Sequence, residues 1–554
     1  MKNQIKKILA LTLAVIMCMG VMSGCVVDDE DSEIIKATLP VVQTNVKNSE
    51  IYPLDSDKVF NIACGGTDDV GARDCFPRWE EVTGVEVEVT SMAADALKLS
   101  ITTGDYGDAV FYSGALSKDK WNELGMAGRF VNFLDYIEYM PNFARALNTY
   151  PEALDVVAAP DGGIYSLPRI GMTSTTHSAL YVRTDYLKAA GWDKVPETTD
   201  ELMQCLFDLK TAFNDVEDFY PITAHSATYM GWANKQSLLG FLFPSFGDLV
   251  STSYVVNKET GKVEFGAGSE QYKRLLSYLN EIMSKGYMEF GADVYSEDGT
   301  NATASNLAGN IAISPYASYM TTAQFASGEL DMTLFSPLTS QWQSEKRFNA
   351  NTTVNWQNNG INAYLPEEDI ITLVRWFDSM YAFSDNPLNE EGTIYGISFW
   401  LGEEGKDFVL DEEAKTYTIL PHEGYETGSL WLNDNSMSGA LALYGTEDWM
   451  YVQDSNTGME VKGRDTLANT LPYTVDTFDV SRLILTESES EVYSDTWVNL
   501  DTYIDEWTAK FIVGDYDLDT QWDEYVAGLE TMGMSELAAA YQSAYDRHIA
   551  TPEE

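Results

Sequence analysis

What most limits the fold is length: about 500 residues follow residue 57 of this 554-residue chain, more than one hydrophobic core ordinarily covers. Hydrophobic residues make up 45% of the sequence and aromatics 12%, ample material for burial, so two lobes are expected. Strand-like stretches such as Val59 to Ala63 and Val85 to Val89 alternate with helical ones, the order of α/β layers. Several helices are marked by their own residues. Thr198-Thr199-Asp200-Glu201 reads as a capping box, followed on one face by Leu202, Leu206, Leu209 and Phe213. From Tyr272 the positions Leu275, Leu276, Leu279, Ile282 and Met283 keep the helical period, and Gly286 stands where a C-terminal cap belongs. Ser535 is placed to cap a last helix with the stripe Leu537, Tyr541 and Ala544. No internal repeat has a fixed period, and no apolar run in the body of the chain is long enough to span a membrane.

The N-terminus sets the compartment. Lys2, Lys6 and Lys7 precede an apolar run from Ile8 to Met22 that ends in Ser23-Gly24-Cys25, the charge and length of a signal peptide. The run falls short of the about 20 apolar residues that a span needs, so residues 1–24 are expected to be removed. Val21-Met22-Ser23-Gly24-Cys25 resembles a bacterial lipobox, which implies that Cys25 is acylated and becomes the mature N-terminus. Several acyl chains on one cysteine, palmitate among them, make a stable membrane anchor. The other reading is a secreted protein with an incidental cysteine. Residues 25–57 then form the lipidated cysteine and a flexible tether, with the acidic run Asp28-Asp29-Glu30-Asp31 and no period.

The net charge of −52 disfavours nucleic acid and anionic lipid as partners, and the leader removes three lysines and no acid, leaving the mature chain more acidic still. Outside the export region stand Cys64, Cys75 and Cys205, with no Cys-x-x-Cys or His-x-x-x-His spacing, so a zinc site or a thiol enzyme is unsupported. Cys64 and Cys75 are free to pair or not, since export permits a disulfide. Asp515, Asp517 and Asp519 match the first positions of a calcium loop, but Thr520 and Val526 break its sixth and twelfth. A phosphate-cradling loop and a Gly-x-Ser-x-Gly elbow are absent. No cofactor, metal or catalytic residue is expected.

From Gly104 onward the chain resembles the large lipoprotein members of the extracellular solute-binding family that serves ATP-driven sugar importers. The likeness rests on five blocks: LSITTGDYGD at 99–108 with the strand Ala109 to Tyr112 behind it; DGGIYSLP at 161–168 with YVRTDYLKAAG at 181–191; Thr260 to Gly286; AGNIAISPY at 308–316; and Lys510 to Tyr525 with Ala544 to Arg547. Phe219 to Val256 departs from the pattern. The resemblance implies a two-lobe α/β fold of the periplasmic-binding-protein type II (Venus-flytrap) kind, with a hinge and an interlobe cleft. Residues 58–172 and 338–395 would form lobe 1, and 173–337 and 396–554 lobe 2. It implies a lipid-anchored monomer outside the cytoplasmic membrane that closes on a carbohydrate and presents it to the permease subunits of an ABC importer, since contacts offered by both lobes shift the hinge equilibrium.

Sugars need aromatic faces and planar polar groups. By the resemblance, Tyr316 ends the strand that brings a stacking aromatic to the cleft. Tyr112, Thr67 and Asp69 follow strand ends, where ligands of α/β sheets collect. Arg169 and His177 flank the expected crossing, as ligand contacts or as a hinge salt bridge. Trp232, Trp356, Trp400 and Trp431 sit in polar or glycine-bearing neighbourhoods, Trp356 foremost. The same fold holding a peptide, polyamine or other small solute is the alternative ligand class. A surface glycosidase is the rival from another class, since hydrolysis needs only two spaced carboxylates and this chain has 86 acidic residues.

Overall fold

The computed structural model describes residues 34–66, 69–170, 180–223, 238–289, 308–315, 329–349, 354–382, 398–411, 416–425, 428–437, 450–452 and 469–550. Among them are two large hydrophobic cores that share no residue, so the described chain packs as two bodies.

The first body is built on a four-stranded sheet. Val59–Gly65 runs parallel to Glu86–Met92 on one side and to Ala109–Ser113 on the other, and Asn358–Ile361 pairs antiparallel with Ala109–Ser113. Ile62, Ala63 and Cys64 are buried in succession, as in a strand covered on both faces. Phe60, Ile62, Phe111, Trp376 and Phe377 pack on one side of the sheet, and Ala63, Val110, Trp121 and Phe130 on the other. The helix Ala94–Thr103 ends at Gly104, whose φ of 85° is the left-handed turn that glycine takes without strain and that sends the chain on to Ala109.

The second body carries a five-stranded mixed sheet, in the order Met332–Leu334, Tyr181–Arg183, Ile311–Ser314, Tyr220–Thr223, Met288–Glu289. All four residues of Ile311–Ser314 are buried, and this central strand runs parallel to Tyr220–Thr223 and antiparallel to Tyr181–Arg183. Helices Thr199–Ala212, Glu270–Ser284, Glu487–Val513, Leu518–Thr531 and Met534–Ala550 contribute to its core, including the expected stripes at Leu202, Leu206 and Leu209, at Leu275, Leu276, Leu279 and Ile282, and at Leu537, Tyr541 and Ala544. Two capping details differ from expectation. Thr198 Oγ1 accepts from Glu201 N at 3.1 Å, but the Glu201 carboxylate accepts from Glu197 N at 2.8 Å instead of closing the box. Ser535 lies inside the last helix and donates to Glu530 at 3.0 Å, so it is no cap.

Two short ladders stand where the chain leaves one body for the other, the first within the first body, where Ile170 and Val354 are core, and the second within the second body, where Phe348 is core. Arg169–Ile170 pairs antiparallel with Val354–Asn355, and Phe348–Asn349 pairs parallel with Thr474–Val475.

Packing departs from the expected boundaries in three places. Residues 34–57 are a strap on the first body: Leu39, Val42 and Leu54 pack on its core, Asn48 is buried, and Ile35 N and Leu54 N donate to Pro160 O and Thr83 O, each at 2.7 Å. Apolar side chains and satisfied backbone groups hold this stretch where composition had pointed to a tether. Leu338 and Phe348 belong to the second core. Phe399 and Met437 belong to the first, where the Phe399 ring meets Phe76 and Trp79 edge-on at 5.7 and 5.4 Å. Cys64 and Cys75 are unbridged, and burial pushes both thiols up to about 12. Among the described residues no helix is long and apolar enough to cross a membrane.

Candidate functional site

A cavity of about 1330 Å³ lies between the bodies, with walls drawn from both. Small-molecule sites occupy roughly 300–1,000 Å³, so this space suits an oligomer better than a single ring.

On the first body four segments reach the cavity, one of them carrying Val354 and Trp356. Ser117 caps the helix Lys118–Met126, its Oγ accepting from Lys120 N at 3.4 Å, which sets Lys118 and Asp119 at the helix start on the cavity wall. The helix Glu152–Val157 adds Asp155, and the strap adds Lys36 to Leu39. After that helix, Asp161 and Gly162 form the turn of the DGGIYSLP block: Asp161 Oδ1 accepts from Gly163 N at 2.9 Å, and Gly162 has φ 79°. The chain then enters the crossing at Arg169.

The second body supplies aromatic rings. The 27-residue helix Glu487–Val513 opens on a complete capping box formed by Thr486 and Glu489, and presents Tyr493 and Trp497, one turn apart, with ring planes 11° from parallel and centroids 6.3 Å apart. Trp497 in turn lies 6.3 Å from Tyr254, which lies 5.3 Å from Tyr541. All four line the cavity, with Tyr493 and Trp497 half-buried at the margin of the second core. Tyr254 is locked in place by stacking on Phe265 at 4.2 Å and by donating its hydroxyl to Met534 O at 2.8 Å.

Charges at the cavity are mixed in sign, with Lys36, Lys118 and Arg482 among Asp119, Asp155 and Asp479. Burial lowers the Lys118 ammonium to about 8 against the pull of the three aspartates, and burial raises the Asp119 carboxyl against the pull of Lys118. Flat apolar ring faces beside short polar groups of both signs match a sugar, which has apolar faces and hydroxyl rims. Among the described residues no cluster has the composition of a metal site. Asp517 of the calcium-like run caps the helix Leu518–Thr531 instead, accepting from the Thr520 amide and hydroxyl, both at 2.9 Å.

Of the residues singled out in the sequence, Trp356 is on the cavity wall, half-buried and packed against both cores of the first body, with no hydrogen-bond partner on its indole nitrogen. Tyr112 sits in the expected strand, and its side chain lies outside what is described. Asp69 is exposed beside the turn Val70–Ala72, and Arg169 lies on the crossing strand; neither is among the cavity residues. Trp400 is buried in the short helix Ser398–Leu401, and Trp431 stacks on His422 at 3.8 Å; both are also off the cavity wall. Tyr316, Thr67, His177, Trp232 and Cys25 fall outside the described residues. Sequence reasoning missed Tyr493, Trp497 and Tyr254. The i, i+4 spacing of Tyr493 and Trp497 in an otherwise acidic helix was the available signal, and it is equally the spacing of a core stripe.

No family model matches the chain. It is 25% identical over 520 residues to the fructooligosaccharide ABC transporter substrate-binding protein FusA of Streptococcus pneumoniae, across 90% of this chain and 92% of that protein. It is 22% identical over 476 residues to the polygalacturonan/rhamnogalacturonan-binding protein YtcQ of Bacillus subtilis, across 84% and 86%. The structure of FusA in complex with kestose superposes with a TM-score of 0.68 at 21% identity, covering 89% of this chain and all of that one. The alginate-binding protein AlgQ2 does so with a TM-score of 0.68 at 18% identity, covering 89% and 99%. The expected resemblance to solute-binding proteins of ABC importers is thus borne out over nearly the whole length, and the fold is their two-lobe periplasmic-binding fold.

Proposed function

We propose that this chain is an extracytoplasmic substrate-binding protein of an ABC importer that takes up an oligosaccharide between its two bodies and delivers it by closing. The observation that carries this reading is the interlobe cavity, with an aromatic wall of Tyr493, Trp497, Tyr254 and Tyr541 on one body and Lys118, Asp119, Asp155 and Trp356 on the other. Likeness to proteins that bind fructooligosaccharides and polygalacturonan supports the ligand class. These relatives are binding proteins, which favours capture over turnover.

In this reading lobe 1 comprises about residues 34–170 and 354–437, lobe 2 about 180–349 and 477–550, and the crossing strands are the hinge. Trp497 and Trp356 stack on sugar faces while Asp119 meets hydroxyls. Tyr316, Tyr112, Thr67, Asp69, Arg169 and His177 remain the sequence-based proposals for the strand-end side of the cleft, with Trp232 and Trp400. Acylation of Cys25 holds the monomer at the outer face of the cytoplasmic membrane, near the permease subunits.

A thermal-shift screen of neutral and acidic oligosaccharides against residues 26–554 tests the reading. A ligand that binds only the folded state adds about 2.7 kcal/mol at one hundred times its dissociation constant. A shift with a peptide or polyamine and none with any saccharide would overturn the ligand class, and release of shorter sugars would overturn the non-enzymatic assignment.

A further inference from the structure

Two polar contacts join the bodies at the edge of the cavity. Asp155 of the first body accepts from Arg482 of the second, with Oδ2 3.0 Å from Nη2 and the side chains 27% and 24% exposed. Lys118 Nζ, again on the first body, donates to the carbonyls of Ser481 at 3.3 Å and Leu483 at 3.5 Å. The second-body partners all lie on one turn, Val480–Arg482, and the residue after it. That turn is rigid by construction. Asp479 caps it by accepting from Ser481 N at 2.9 Å, and the Arg482 guanidinium rests on the ring of Phe478, 4.6 Å from its centroid, a ring that is itself part of the second core.

We propose that Asp155, Lys118 and the 479–483 turn form an interlobe clasp that biases the two bodies toward the enclosing arrangement and so raises affinity for the guest without touching it. The inference rests on the closure reading above. A contact that exists only in one relative orientation of the bodies adds its free energy to that orientation, and apparent affinity scales with the fraction of molecules already competent to bind. Asp155 and Arg482 are therefore positioning residues. They stand on the cavity wall, however, and direct contact with the guest is the rival to be separated by experiment.

The test uses the full mature chain with Asp155→Arg, Arg482→Asp, the double swap, and Asp155→Asn as a milder variant. Small-angle scattering without ligand is expected to give a larger radius of gyration for each single variant, and calorimetry with the saccharide found in the screen about a two- to fivefold weaker affinity, the range of a partly exposed pair. The double swap should restore both. Single variants with the wild-type radius overturn the clasp, and so does a swap that restores neither quantity. A swap that restores the radius but leaves binding impaired assigns the pair to guest contact instead and also overturns it. If the wild type binds no saccharide, the functional reading fails while the ligand-free scattering still decides the clasp.

Discussion

The helix Glu367–Ser379 of the first body adds a buried polar knot at Asp378 to the ring contacts of its Trp376 and Phe377, whereas the C-terminal helices of the second body meet through a cluster of tilted rings. Asp378, fully buried, accepts from Asn142 Nδ2 at 2.9 Å and from Phe143 N at 2.8 Å, and Asn142 Nδ2 also donates to Asn48 of the strap at 2.9 Å. Asn358 closes a second buried knot, accepting from Leu116 N and donating to Leu116 O. In the second body Trp507 lies 5.6 Å from Phe511 and 5.8 Å from Tyr525, and Tyr525 lies 5.1 Å from Trp522. Hydrogen-bonded amides are directional and fix one geometry, while ring packing is strong and forgiving of small shifts. The first body is thereby specified as a frame for the strap and the hinge-side strands, and the second as a thick aromatic block behind the cavity wall.

The largest test of that contrast is Phe511→Ala, which empties a buried ring site and should lower the stability of the second body by about 3–5 kcal/mol in a denaturant melt, separating its transition from that of the first. Coincident transitions would show the two cores to be one cooperative unit. Asn142→Ala removes one donor from Asp378 and one from Asn48, and should destabilise the first body by about 1–3 kcal/mol. An unchanged melt would mean that the polar knot fixes geometry and adds no stability.

The knot also titrates. Burial raises Asp378 to about 7 from the usual 3.8, opposed by the hydrogen bonds from Phe143 and Asn142. The folded protein then keeps a proton that the unfolded chain releases, so this group's contribution is full below 3.8 and is lost as pH rises through about 7. Asp378→Asn should flatten the fall in melting temperature between pH 4 and 7; an equally steep profile would place the titrating group elsewhere. The smallest effect is expected at the wall of the second body. Trp497 is half-buried at the margin of the second core, so Trp497→Ala should lower the melt less than Phe511→Ala does while weakening saccharide binding by about two- to tenfold, the scale of one aromatic contact. Unchanged affinity would remove Trp497 from the site.

Much of the frame was legible because it repeats local rules. Val59 to Gly65, the glycine turn at Gly104 and the stripes at Leu275 and Leu537 follow from period and punctuation. The strap was not, because Leu39, Val42 and Leu54 have no regular spacing and the acidic run upstream dominates the composition. Phe399 was assigned to the wrong body for a similar reason: nothing in four residues tells which core a ring will meet. At the site, Trp356 stood out through its polar neighbours. Tyr493 and Trp497 looked like any helix face, since only the meeting of two bodies turns that face into a wall.

Closure itself is tested most directly by an interlobe distance. Glu123 and Lys194 are exposed and lie on the first and second bodies, and Cys64, Cys75 and Cys205 are buried, with thiols raised to about 12, so spin labels at Glu123→Cys and Lys194→Cys should react selectively. Pulsed dipolar spectroscopy on this pair should show the distance distribution shifting and narrowing when the oligosaccharide saturates the protein. A saccharide bound at saturation with the distribution unmoved would contradict capture by closing.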